Sequence, residues 1–222
     1  MIERALIFAA GRGERMRPLS DTTPKPLLRV GGKALIEWHL EKLAAAGVRE
    51  VVINTSHLAA QFPAALGDGS RWNLHIDYSH EGPEPLETGG GMQRALPLLG
   101  AAPFIAVNAD IWTDFDFAAL PPDPLGLAHL VLIDNPTHHP AGDFGVRDGR
   151  VLDTAAARLT FAGIGVYRPD LLAGMLPGKF SIVPLLRAAM RDGRVSGEHY
   201  PGRWSDVGTP QRLAEIDAVL RG

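Results

Sequence analysis

Apolar residues fall into two alternating patterns along the first half of the chain. Ala5-Leu6-Ile7-Phe8, Val51-Val52-Ile53 and Phe104-Ile105-Ala106-Val107 are short unbroken runs. Leu35, Ile36, Leu40, Leu43 and Ala44 instead recur at helical spacing, with Gly47 as a stop. A strand apolar at every position is covered on both faces, so this β-α-β rhythm predicts a parallel sheet with helices on either side. Further predicted elements are a helix over 57–66 broken near Pro63, a strand over 74–78, and a helix from about Gly90 to Leu99. The second half reads as richer in strands, over 127–133, 143–146, 149–152, 159–166 and 195–200. Helices are predicted there over about 169–175, 182–192 and 210–220. No internal repeat is visible.

The first strand leads directly into a polar loop. Residues 12–29 carry five basic groups (Arg12, Arg15, Arg17, Lys25, Arg29) against Glu14 and Asp21, a local charge of +3 in a chain whose total is −3. Gly11 and Gly13 put no Cβ in the way of a bulky anion, so free backbone N–H groups can face it. Arg15 offers a planar fork to two phosphate oxygens. Thr23 and Lys25 each precede a proline, which predicts extended backbone at both. Two familiar phosphate motifs are excluded. Met16 occupies the third-glycine position of a dinucleotide fingerprint, and neither Gly32-Lys33 nor Gly178-Lys179 is followed by the hydroxyl of a P-loop.

Ligands of parallel sheets sit beyond the carboxyl ends of the strands, where this loop and Asp110 both fall. Asp114-Phe115-Asp116 is a second acidic pair, but acids in the first turn of a helix explain it more simply. His138-His139 and Asp143 do not share a helical face, and Pro136 and Pro140 make that segment a loop, so no metal is expected there.

Composition narrows the class. With 222 residues, 45% hydrophobic and 21% charged, the chain reads as one globular domain with a substantial core. The absence of cysteine rules out disulfide and thiolate chemistry and fits a reducing compartment, so a cytoplasmic location is expected. The opening apolar run is too short for a signal peptide, and no apolar stretch is long enough to span a membrane. A mildly negative chain with its basic groups gathered in one loop argues against a nucleic-acid partner.

Ala9 through Leu19, followed by Thr23-Pro24-Lys25-Pro26-Leu27, resembles the opening signature of the sugar-1-phosphate nucleotidyltransferases, approximately A-A-G-x-G-x-R-M-x-P-L-T then P-K-P-L; Ser20 stands where the family usually has threonine. The resemblance implies an α/β fold: a Rossmann-like three-layer sandwich with a mostly parallel mixed sheet, of the GT-A-like nucleotidyltransferase type, plus a smaller β-rich sugar-binding part. It implies a single domain over 1–222, with nucleotide bound by about 1–110 and sugar phosphate by about 111–222. It further implies Arg15 and Lys25 as catalytic groups, Asp110 and Asp206 as ligands of Mg²⁺, and Ala9, Gly11, Gly13, Glu81 and Gly89 around the nucleotide. Glu87, Thr88, Asn108 and Lys179 are implied on the sugar side. Ala109 replaces the glycine of the family's N-G-D, and Glu87 replaces the glycine of its L-G-T-x-G.

The implied partners are small molecules, an NTP and a sugar 1-phosphate, bound by a monomer or small homo-oligomer. Along nearly the whole chain the resemblance favours UTP and N-acetylmuramate 1-phosphate, in recycling of cell-wall sugars, with GTP and mannose 1-phosphate as the alternative pair. Two readings from other classes are a non-catalytic nucleotide-sugar sensor and a glycosyltransferase using Asp114 and Asp116. The intact set of Arg15, Lys25, Asp110 and Asp206 disfavours the first, and the cationic loop disfavours the second.

Overall fold

The structure, a computed structural model, describes residues 1–222. Strand β1 (Arg4–Phe8) leads into the cationic loop and a short helix α1 (Leu19–Thr22), then a small hairpin of β2 (Arg29–Val30) and β3 (Lys33–Ala34). Helix α2 (Leu35–Ala45), β4 (Glu50–Thr55), α3 (Gln61–Leu66), β5 (His75–His80), α4 (Glu87–Leu99) and β6 (Phe104–Asn108) complete the first half. Then come β7 (Ile111–Thr113), β8 (Ala128–Ile133), β9 (Gly145–Arg147), β10 (Arg150–Leu152) and β11 (Thr160–Tyr167). The chain closes with α5 (Val183–Arg191), β12 (Val195–Tyr200), β13 (Trp204–Asp206) and α6 (Pro210–Arg221).

Nine strands form one sheet in the order β5-β4-β1-β6-β11-β8-β12-β10-β9. The pairings β5-β4, β4-β1, β1-β6 and β8-β12 are parallel and the other four antiparallel, so seven strands point one way and only β10 and β11 are reversed. The carboxyl ends of β1, β4, β5, β6, β8 and β12 therefore open on one edge. The unbroken apolar strands are sandwiched as their composition predicts. Ala5 and Ile7 join one core with α2 and α3, through Ile36, Leu40 and Phe62, while Leu6 joins the other with α4 and α5, through Met92, Leu99 and Leu186. Complete burial of such a side chain contributes about 1.5–3 kcal/mol.

Local chemistry moved several predicted boundaries. The helix expected from residue 57 starts at Gln61, and Pro63 sits in its first turn, where a missing N–H costs nothing. The helix expected near Gly90 starts at Glu87 and takes the three glycines inside it. Residues 169–172 form only a 3-10 turn. Thr23 is extended as predicted, but Lys25 opens a 3-10 turn instead. Two backbone bonds, Leu27 N–H to Pro24 O (2.8 Å) and Leu28 N–H to Lys25 O (3.1 Å), offset the pre-proline restriction there.

A separate small core fixes the C-terminal segment. Val30, Leu35, Trp112 and Val207 pack with Trp38, Leu213, Ile216 and Leu220, joining α6 to the β2-β3 hairpin. Strand β13 pairs with β7, setting Asp206 opposite Ile111. Asp114 clamps this pairing by accepting from Tyr200 Oη (2.6 Å) and from the N–H and Nε of Arg203 (2.8 and 3.2 Å). Asp116 caps a 3-10 turn through Ala118 N–H (3.0 Å). Both acids of the D-x-D are thus occupied in structural bonds.

His39, on α2, is buried and donates from Nε2 to the carbonyl of Ile111 (2.9 Å), beside Asp110. Burial pushes its pKa down to about 4. An unfolded histidine near 6.5 takes up its proton first, so stability is complete above pH 6.5 and declines as the pH falls towards 4. Wild-type protein is expected to lose on the order of 3 kcal/mol across that window. In denaturant titrations at a series of pH values, His39→Gln should flatten this segment; an unchanged slope would contradict the assignment.

Candidate active site

The loop after β1 is held at a few points and otherwise left open. Met16 is fully buried, Ser20 Oγ donates to Gly13 O (2.8 Å), and Met16 N–H donates to the same carbonyl (2.8 Å). Gly13 has a left-handed backbone (φ 64°), and a Cβ there would press on Lys25 and Ser20. The residue that breaks the dinucleotide fingerprint is thus the loop's anchor. The N–H groups of Ala10, Gly11, Arg12 and Gly13 make no hydrogen bond within the chain. Four such donors at a strand end, with Arg15 free of any ion pair, form an anion cradle.

Lys25 faces the cradle from the Thr-Pro-Lys-Pro segment, with its side chain only 8% exposed, and donates from Nζ to Asp110 Oδ2 (2.7 Å). Asp110 follows β6 and is 42% exposed. Val207 N–H donates to Asp110 O (2.8 Å), tying the backbone beside Asp206 to that of Asp110. The Asp206 carboxylate points at Arg212 and His138: its Oδ1 accepts from Arg212 Nη1 (2.5 Å) and lies 2.9 Å from His138 Nε2.

On the other flank a buried relay joins three strand ends. Ala9 N–H donates to Asn54 Oδ1 (2.6 Å), Asn54 Nδ2 to Glu81 Oε1 (2.5 Å), and Leu86 N–H to Glu81 Oε2 (2.6 Å). Burial raises the Glu81 pKa, and the bonds from Leu86 and Asn54 oppose that rise. Helix α4 starts here, with Glu87 in a left-handed backbone (φ 62°) that a non-glycine residue adopts at a cost. Phe180 crosses the start of α4, donating to Leu86 O (3.1 Å) and accepting from Gly89 and Gly90 N–H (2.9 and 3.1 Å), which brings Lys179 to the site.

These parts surround a cavity of about 1060 Å³. Eleven of the expected residues line it: Ala9, Gly11, Gly13, Arg15 and Lys25 from the loop side, Glu81, Glu87 and Thr88 from the α4 side, and Asn108, Asp110 and Lys179. Gly89 and Asp206 do not. The Gly89 amide is committed to Phe180, whose ring fills the space beside it. A Cβ at Gly91 would sit 2.7 Å from Asn54 Nδ2 and closer still to Glu81, so the triple glycine serves packing of protein on protein rather than approach of a ligand to bare backbone. Asn54 went unnoticed because a single Asn ending a strand carries no pattern. Arg212 and His138 were missed because their contact spans 74 residues.

Magnesium prefers oxygen donors from one or two carboxylates, completed by water and substrate phosphate. Asp110 Oδ1 and Asp206 Oδ2 make no hydrogen bond within the chain, and a backbone bond joins their neighbourhoods. No cluster of three or more metal-binding side chains forms a closed cage. These residues fit Mg²⁺ held jointly with substrate.

Residues 4–148 match the nucleotidyl transferase family, and the chain belongs to the sugar-1-phosphate nucleotidyltransferases of that family. Among particular enzymes, it is 50% identical to the N-acetylmuramate alpha-1-phosphate uridylyltransferase of Neisseria meningitidis, over 97% of each chain. It is 37% identical to the enzyme of the same name from Caulobacter vibrioides, over 97% of this chain and 96% of the relative. The mannose-1-phosphate guanyltransferase of Aspergillus fumigatus is 31% identical over 94% of this chain and 61% of its own length. A Bacillus anthracis crystal structure, provisionally named a glucose-1-phosphate thymidylyltransferase, shares the fold with a TM-score of 0.86 at 18% identity, over 98% of this chain and 95% of that one.

Two glycine positions test the packing. Gly91→Ala is expected to destabilise by about 2–3 kcal/mol as its methyl meets the Asn54–Glu81 pair, read from the denaturant midpoint. Glu87→Gly should stabilise by about 0.5–1 kcal/mol, because relief of the left-handed backbone exceeds the added chain entropy. A loss of stability there would show that the Glu87 side chain holds the fold.

Proposed function

We propose that the protein transfers a uridylyl group from UTP to N-acetylmuramate 1-phosphate and releases pyrophosphate. The observation that carries this reading is the single cavity in which unpaired loop amides, Arg15, Lys25 and Asp110 converge at the strand ends. The high identity to uridylyltransferases over full length supports the choice of substrates.

Both reactants are polyanions. Each pair of unit charges about 4 Å apart costs roughly 4 kcal/mol at an effective dielectric near 20. Offsetting that repulsion and aligning the two phosphates is most of the catalytic task. No protein nucleophile is required. An oxygen of the sugar phosphate attacks the α-phosphorus in line, the bond from that phosphorus to the bridging oxygen breaks, and pyrophosphate leaves with that oxygen.

The loop amides and Arg15 hold the triphosphate and receive the charge that develops on the leaving group. Lys25 faces both the α-phosphate and the incoming sugar phosphate. Asp110 and Asp206 would hold Mg²⁺, which when bound supplies positive charge to the reacting phosphates. Lys179 contacts the sugar phosphate, with Thr88 and Asn108 beside the sugar. In this reading the enzyme works in the cytoplasm, in recycling of cell-wall sugars.

Arg15→Ala and Lys25→Ala are each expected to lower turnover by about 10²- to 10³-fold. Pyrophosphate release, followed with UTP, GTP, dTTP, CTP and ATP against several sugar 1-phosphates, should be highest for UTP with N-acetylmuramate 1-phosphate. Near-normal rates in both variants would overturn the roles of these residues. Preference for GTP and mannose 1-phosphate would overturn the choice of substrates.

A further inference from the structure

Arg212 has more hydrogen-bonding capacity than its contacts use. It stands in the first turn of α6, its N–H reaching the cap residue Thr209 (Oγ1, 3.3 Å). Its guanidinium is 17% exposed and employs one terminal nitrogen, Nη1, on Asp206 Oδ1 (2.5 Å) and beside His138 Nε2 (2.7 Å). Neither Nη2 nor Nε makes a hydrogen bond within the chain. Nη2 lies against Gly208, where an added Cβ would collide with it, and Gly208 is on the wall of the cavity that holds Asp110. The guanidinium occupies the space a side chain at Gly208 would take, which sets its free edge directly behind that wall residue.

His138 comes to the same point from the loop after β8. That loop is built from internal bonds. Asn135 Nδ2 donates to Pro140 O (3.1 Å) and Arg158 O (2.9 Å), Asn135 Oδ1 accepts from Thr160 Oγ1 (2.9 Å), and His139 pairs with Asp143 (3.0 Å). His138 itself is 42% exposed, so it is both held and accessible. Arg212 already grips one carboxylate, that of Asp206, with His138 Nε2 2.9 Å from the same oxygen. A guanidinium with two unused donors is suited to a second one, because its fork matches the two oxygens of a carboxylate.

We propose that Arg212, assisted by His138, reads the lactyl carboxylate of the sugar substrate. This rests on the reading that the substrate is N-acetylmuramate 1-phosphate, the sugar that brings a carboxylate into this cavity. Arg212 and His138 do not themselves line the cavity, but Gly208 does and Arg212 Nη2 lies directly behind it, so the carboxylate would meet the guanidinium past that glycine. Asp206 would oppose a second carboxylate, but its charge is offset by Nη1 of Arg212 and, in the loaded enzyme, by the divalent ion. Arg212 therefore acts on specificity through Nη2 and Nε, while its Nη1 continues to hold Asp206.

The test uses two products that differ only in the lactyl ether, UDP-N-acetylmuramate and UDP-N-acetylglucosamine. Their binding to the full chain is measured by titration calorimetry at fixed Mg²⁺, with wild type, Arg212→Gln, Arg212→Lys and His138→Gln. Both ligands share the UDP moiety, so any effect on Asp206 or the ion cancels in the ratio of affinities. Wild type should favour the carboxylated ligand by roughly 10- to 100-fold, Arg212→Gln should reduce that ratio to near one, and His138→Gln should reduce it in part. If Arg212→Gln does not fold, Arg212→Lys decides the matter by a lowered ratio, since a point charge replaces the fork. A wild-type ratio retained in the Arg212 and His138 variants would overturn the role of Arg212 alone. A wild type without preference for the carboxylated ligand would overturn the substrate reading along with it.

Discussion

A lysine ammonium withdrawn from bulk water must have an anion beside it, and Lys25 has Asp110 at 2.7 Å. The pair joins two distant parts of the chain, the loop that follows the first strand and the end of the central strand β6. It also sets the terms on which substrates enter. In the proposed reaction phosphates would compete for the ammonium and a divalent ion for the carboxylate. Each charged group is thus balanced before the reactants arrive and can be balanced by them afterwards. The same arrangement recurs at Asp206 and Arg212, so both candidate metal carboxylates carry a cation from the protein.

The scaffold explains why this balance can be held with precision. Apolar strands buried on both faces fix the ends of β1, β4 and β6, with β5 paired to β4 at the sheet edge, and the cradle, Asn54, Glu81 and Asp110 all sit just at or beyond the strand ends. The second carboxylate is delivered by other means. A small core around Trp112 and Val207 docks α6, and the Asp114 clamp seats β13 against β7. Interiors packed this closely transmit small displacements, so the two candidate metal carboxylates are positioned by contacts well outside the cavity.

Much of this was legible in the residues, and the parts that were not share a cause. Unbroken apolar runs gave the sheet because their period reports burial directly. The cationic loop and Asp110 were legible because local composition and position at a strand end carry their own physics. Lys25 in a 3-10 turn was not, since two turn hydrogen bonds outweigh a steric preference that the dipeptide alone expresses. Gly89, implied beside the nucleotide, was not legible for the opposite reason. Freedom of approach is evident in Gly89-Gly90-Gly91, but only the fold shows that Phe180, Gly178 and Glu81 do the approaching. The partners of Asp206 depend on a contact between Arg212 and a loop 74 residues earlier, which no spacing rule encodes.

The central claim is that one cavity holds the triphosphate against the loop amides while two carboxylates fix the ion. A crystal structure with Mg²⁺ and a non-hydrolysable UTP analogue tests it directly. The account predicts phosphate oxygens on the N–H groups of Ala10 to Gly13 and on Arg15, with the ion bound to Asp110 and Asp206. A triphosphate lying elsewhere on the molecule, or an ion that touches neither aspartate, would contradict it.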